Sequence, residues 1–173
     1  MAHAIEMFFD EHADAAVRAV WQRLAAAGLP SLATQTHCRH RPHVSLTVTE
    51  SLDQADLAPV RMTLAGHRPA LHLTVLGTFP GSEGVLFLGA VVTEDLLALH
   101  ARVHQALAGQ PVTHWPVYLP GRWVPHCTLA QQLGSDEIAT AFRLLRGYQP
   151  VTARVTSAGI TDTATGALTP LTS

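Results

Sequence analysis

The chain has 173 residues with a formal net charge of -2, and it is 47% hydrophobic against 14% charged. That balance excludes a disordered chain and argues against tight, non-specific binding to long nucleic acid, which needs a broad cationic surface. Every one of the 11 basic residues is arginine, and no apolar run approaches the length of a membrane span.

The elements can be predicted in chain order. Ala4 to Phe9 reads as a strand with Ile5, Met7 and Phe9 on one face. Asp10 is an N-cap for a helix on which Ala13, Val17, Val20, Trp21 and Leu24 recur at helical spacing, stopped by Gly28-Leu29-Pro30. A polar loop from Ser31 to Arg41 leads to a strand around Val44 to Val48. Ser51 caps a short helix that contains Pro59. Strands at Ala70 to Phe79 and Val85 to Thr93 form a hairpin about Pro80-Gly81-Ser82. Thr93 caps a helix from Glu94 to Ala108 with an apolar stripe of Leu96, Leu97, Val103 and Leu107. After a loop from Gln110 to Arg122, Trp123 to Leu129 reads as a strand. Ser135 caps a helix bearing Ile138, Phe142 and Leu145 and closed by Gly147. Terminal strands at Val151 to Thr161 and Ala167 to Leu171 flank the turn at Thr165-Gly166. Hairpins and an irregular order of strands and helices favour α+β with antiparallel sheet over a doubly wound parallel sheet.

Two stretches repeat each other. Pro42-His43-Val44-Ser45-Leu46 and Pro125-His126-Cys127-Thr128-Leu129 both read Pro-His-x-(Ser/Thr)-Leu, with the histidines 83 positions apart (126 minus 43). On a strand, alternate side chains share a face, so each copy offers one imidazole and one hydroxyl to one surface. Two imidazoles across a phosphate form an acid-base pair, because histidine titrates near neutral pH. The hydroxyls of Ser45 and Thr128 can bind the non-bridging oxygens.

The paired motif resembles that of the 2H phosphoesterase superfamily, which includes RNA 2′,3′-cyclic phosphodiesterases and 2′-5′ RNA ligase-like proteins. Leu76-Gly77-x-Phe79, the strand Val85-Leu86-Phe87-Leu88 and the helix Leu96 to His100 are similar too, so the resemblance runs from about Ala4 to Thr161. It implies a bilobal α+β fold: two antiparallel sheets with flanking helices about a central cleft, the lobes related by a pseudo-two-fold and intertwined in a single domain of residues 1–173. It also implies a cofactor-free hydrolase, independent of metal and ATP, acting on a 2′,3′-cyclic phosphate or 2′-5′ linkage of a nucleotide or short RNA end. His43 and His126 are then catalytic, and Ser45 and Thr128 bind phosphate. Which histidine is acid and which is base stays open. The alternatives are a 2′-5′ RNA ligase and a module that binds nucleotides or phosphate without turnover.

Arg41, Arg122 and Tyr118 flank the motifs and are candidates for substrate binding. Trp123 stands three positions before His126, so strand alternation turns it away from the site. His37, Cys38 and His40 precede the first motif, and His100 and His104 stand at i,i+4; both groups have metal-like elements, but a polar loop and boundary histidines are the simpler readings. Cys127 alternates away from the site and reads as a packing thiol. Two cysteines make no disulfide framework, and Met1-Ala2-His3-Ala4 has neither the basic start nor the apolar core of a signal peptide. The expectation is a cytoplasmic, bacterial monomer with no DNA or membrane partner.

Overall fold

The structure, a computed structural model, describes residues 2–35, 37–52, 57–81 and 83–172. Its elements run β1 (His3–Phe9), α1 (Glu11–Ala26), β2 (His43–Thr49), α2 (Ala58–Leu64), β3 (Ala70–Thr78) and β4 (Leu86–Ala90). They continue with α3 (Glu94–Leu107), a 3-10 turn at Pro116–Tyr118, β5 (His126–Ala130), α4 (Ser135–Leu145), β6 (Val151–Asp162) and β7 (Leu168–Thr172).

The α+β expectation holds: among the described residues seven antiparallel strands run in the order β2-β1-β6-β3-β4-β5, with β7 also on β6. The two expected sheets are joined, because the long strand β6 belongs to both. Its first residues pair with β3 (Val151 with Leu73, Arg154 with Ala70), and from Val155 onward it pairs with β1. The two motif strands therefore lie at opposite ends of one hydrogen-bonded path. β2 is bonded to β1 and β5 to β4. The ends nonetheless meet, since Trp123 Nε1, just before β5, donates to the Ser45 carbonyl of β2 at 2.9 Å.

Local chemistry accounts for the helices. Asp10 Oδ1 accepts from Ala13 N at 3.1 Å, and its other oxygen accepts from Arg154 N, so the cap also ties α1 to β6. Ala13, Val17, Trp21 and Leu24 form the buried stripe of α1. Burial of Val17 and Leu24 contributes roughly 1.5–3 kcal/mol each. Trp21 adds a polar contact, its Nε1 donating to the Thr128 carbonyl at 3.2 Å.

Several boundaries differ from expectation. β4 ends at Ala90, and Val91 and Val92 are exposed. The buried stripe of α3 is Leu96, Leu99, His100, Val103 and Leu107, whereas Leu97 faces solvent. Leu97 lies outside the i, i+3, i+4, i+7 stripe that Leu96, Leu99, His100 and Val103 form. The cap of α4 is Gly134, whose N–H donates to Glu137 Oε2 at 2.7 Å, with Ser135 as the first helical residue. β5 begins only at His126, so Arg122 and Trp123 precede the strand and its alternation does not govern them. The path from Ser51 to α2 crosses residues 53–56, and Ser82 of the hairpin turn is likewise outside the described residues; Pro59 sits in the first turn of α2, where its missing N–H costs nothing.

Candidate active site

The first and second motifs open their strands in the same way. His43 Nδ1 lies 2.6 Å from the carbonyl oxygen of Arg41, and His126 Nδ1 lies 2.6 Å from that of Val124. A carbonyl only accepts, so each Nδ1 carries a proton and each Nε2 is the nitrogen left for chemistry. The proline between explains the geometry. Pro42 and Pro125 hold the residue before them in extended conformation, which fixes the carbonyl that each imidazole uses. The motif thus sets a tautomer as well as a position.

Strand pairing then fills the surface around each imidazole. Residues directly opposite in an antiparallel pair point to one face. Phe8 stands opposite His43 and Glu6 opposite Ser45; Phe87 stands opposite Thr128 and Gly89 opposite His126. Phe8 and His43 meet edge-on at 6.4 Å between ring centroids. His126 is enclosed more tightly, with Phe79 at 4.9 Å, Phe87 at 5.3 Å and Tyr118 at 6.5 Å. Gly77 makes room for this wall, since a Cβ there would stand 2.6 Å from the Phe87 ring. Burial holds the His126 imidazole below the ordinary histidine range, with the hydrogen bond to Val124 opposing and His43 adding to the shift.

His126 and Thr128 border a cavity of about 610 Å³ walled by Phe79, Trp115, Tyr118 and Val124, with Arg122 and Glu83 as its charged groups. His43 borders a smaller recess of about 20 Å³ with Glu6, Arg39, Arg41 and His40. Tyr118 lines the larger cavity. Burial pushes its phenol up to about 12, the Glu6 charge adds to that, and a hydrogen bond to the Ser45 side chain opposes it. Ser45 and Thr128 are themselves 8% and 9% exposed. Arg41 stacks over Phe8, its guanidinium carbon 4.5 Å from the ring centroid, at the recess and not the larger cavity.

Trp123 does not turn away from the site: it is buried but borders the cavity with His126, because it precedes β5 and strand alternation does not apply to it. Its indole stacks on the His100 ring at 4.1 Å, nearly parallel, and His100 Nε2 donates to the Tyr118 carbonyl at 2.9 Å. His100 therefore supports two residues of the site from below. His104 and His114 continue the stack, with centroids 4.6 and 4.7 Å apart in turn, and His114 shares a hydrogen bond with Thr47. Among the described residues no group of three or more His, Cys, Asp or Glu side chains is placed to hold a metal ion, neither this stack nor the His37–His40 pair. No described helix is long and apolar enough to cross a membrane.

Glu6 is the site residue that motif reading missed. It is 6% exposed, its Oε1 lies 3.2 Å from His43 Nε2, and its Oε2 accepts from the Thr161 hydroxyl. A signal for it was present. Ile5, Met7 and Phe9 face the core, so a carboxylate at the alternate position of the same apolar strand is buried at a cost unless it finds a partner.

With this geometry in place, comparison with known proteins is direct. The profile of the 2′-5′ RNA ligase superfamily matches residues 9–167. The chain belongs to this superfamily. Curated protein sequences yield no match. Among solved structures, Kluyveromyces marxianus Usb1 is similar at a TM-score of 0.58 and 12% identity, covering 99% of this chain and 98% of that one. The same protein with uridine monophosphate gives a TM-score of 0.53 at 12% identity, with the same coverage. The MHV ns2 PDE domain aligns over 78% of this chain and 79% of its own at 19% identity and a TM-score of 0.49. The Usb1 likeness is one of fold, and it agrees with the 2H phosphoesterase architecture that the paired motifs implied.

Proposed function

We propose that this superfamily member is a phosphodiesterase that hydrolyses a 2′,3′-cyclic phosphate or a 2′-5′ phosphodiester of a nucleotide or short RNA end. The observation that carries the proposal is the matched pair of Nδ1–carbonyl bonds, which leaves one Nε2 on each motif strand for proton transfer. His126, neutral by virtue of its burial, takes a proton from water as the water oxygen bonds to phosphorus. His43 delivers its Nε2 proton to the departing ribose oxygen as the P–O bond breaks. The product is a phosphomonoester with a free hydroxyl, and the two imidazoles return their protons through solvent. Ser45 and Thr128 donate to non-bridging oxygens, where charge builds in the transition state.

The larger cavity supports a small substrate. Its aromatic wall suits a nucleobase, and Usb1 in complex with uridine monophosphate is a protein of the same fold that holds a mononucleotide. One arginine facing one glutamate is a poor track for a long polyanion. That favours hydrolysis of a nucleotide or RNA end over ligation of long strands.

The test is hydrolysis of nucleoside 2′,3′-cyclic phosphates in the presence of a chelator, for wild type, His43→Ala and His126→Ala. Turnover by the wild type that drops on the order of 10²-fold or more in both variants is the expected result. Turnover that survives loss of either histidine would refute the two-histidine mechanism. Wild-type binding without turnover would instead identify a nucleotide-binding module.

A further inference from the structure

We infer that Glu6 is a positioning residue that keeps His43 doubly protonated and so fits it for the proton-donor role; this rests on the acid–base reading above. His43 Nδ1 faces the Arg41 carbonyl at 2.6 Å, and Nε2 faces Glu6 Oε1 at 3.2 Å. Both neighbours are acceptors. A neutral imidazole has one N–H and satisfies one of them; an imidazolium has two and satisfies both. His126 has the same Nδ1 bond, but its ring is walled by Phe79, Phe87 and Tyr118. The two histidines therefore differ by a carboxylate, although their motifs read alike.

The position of that carboxylate is built in from three strands. Glu6 comes from the middle of β1, opposite Ser45 of β2, and the Thr161 hydroxyl of β6 holds its second oxygen. Thr161 fixes the orientation in which Oε1 meets the imidazole. The other titratable or charged groups around His43 are His37, Arg39, His40 and Arg41 at the recess and His126 from β5. All of these are neutral or cationic, and Glu6 is the anion among them. A buried carboxylate with one hydroxyl donor would be poorly compensated. A second N–H on the His43 ring completes it at Nε2. When substrate binds, its leaving oxygen replaces Glu6 as the acceptor of the Nε2 proton.

Glu6→Gln is the discriminating variant, because it keeps the shape and removes the charge. Its amide oxygen can still accept from Thr161, while its NH2 group now presents a donor to Nε2 and favours the neutral ring. The first measurement is nitrogen NMR of the 15N-histidine-labelled protein at neutral pH. In the wild type both ring nitrogens of His43 should be protonated; in Glu6→Gln the Nε2 signal should move to the unprotonated range. In the pH–rate profile the alkaline limb, which reports loss of the donor proton, should move to lower pH in Glu6→Gln while the acidic limb stays. At neutral pH kcat should fall about tenfold or more, with KM changed less. Glu6→Asp, which keeps the charge, should restore the limb in part.

An unprotonated Nε2 in the wild type, or a Nε2 signal unchanged in Glu6→Gln, would overturn the inference. So would a variant that loses thermal stability while both limbs stay in place. Should Glu6→Gln not fold, Thr161→Val removes the anchor of the carboxylate and is read by the same NMR signal. Failure of the wild type to turn over both nucleoside 2′,3′-cyclic phosphates and 2′-5′-linked dinucleotides would refute the proposed function, and the NMR result would still decide the role of Glu6.

Discussion

The indole N–H of Trp123 donates to the carbonyl of Ser45 at 2.9 Å. It joins the two ends of the sheet at the backbone of a residue whose hydroxyl faces the site. The second motif has its counterpart, Trp21 Nε1 on the Thr128 carbonyl at 3.2 Å. Each phosphate-binding candidate is thus held from behind by a tryptophan. Trp123→Phe keeps most of the packing but leaves the buried carbonyl without its donor, at a cost of about 1–3 kcal/mol. Urea unfolding should show that loss, and kcat should fall with it because the Ser45 hydroxyl loses its fixed place.

Activity should follow a bell in pH. His126 must be neutral to accept a proton, so the acidic limb marks its protonation. Burial, aided by His43, holds its pKa below the ordinary value of 6.5, so activity persists below that value and is lost only as pH falls further. Phe79→Ala opens the wall to water and should move the acidic limb to higher pH. A limb that stays in place in this variant would show that burial by Phe79 does not set it.

Acid should weaken the fold through histidines that lie outside the proposed chemistry. Burial lowers the pKa of His100 and His114, and lowers His40 and His104 to about 4. In the unfolded chain they titrate near 6.5. As pH falls from about 6.5 toward 4, the unfolded state binds protons that the folded state refuses, so stability declines across that window. Denaturation midpoints at pH 7.5 and pH 5 measure the effect. His104→Leu should narrow the difference between them.

The two cysteines should differ sharply toward a thiol reagent. Cys38 is exposed, whereas burial pushes the Cys127 thiol up to about 12. The native protein should titrate as one reactive thiol and the urea-unfolded protein as two. Two thiols in the native state would mean that β5 opens.

Much of this arrangement was legible from periodicity. Alternation in Ile5-Glu6-Met7 and in the two motif strands fixes which side chains share a face, and the caps Asp10 and Thr93 act where the sequence places them. Strand order was not legible. Nothing local in Val151 to Asp162 says that it joins both halves, because pairing partners are chosen by packing across the whole chain. The same limit hid Glu6, whose partners His43 and Thr161 lie 37 and 155 positions away (43 minus 6; 161 minus 6). It also hid the His100–Trp123 stack, which links a helix to a loop. Trp123 was misplaced for a local reason: the β-branched and aromatic run continues upstream of His126, but Pro125 lacks the N–H that a strand ladder uses.

The hydrogen bond from each histidine to the carbonyl two residues back is made within three consecutive residues, with proline between donor and acceptor. Each imidazole therefore has its reactive nitrogen selected before the two halves of the sheet meet. Assembly of the sheet then supplies what differs between them, Glu6 beside His43 and the aromatic wall around His126. A duplicated or transplanted strand of this kind would carry its tautomer with it, while the partner of its Nε2 would still come from the neighbouring strands, as Glu6 does for His43.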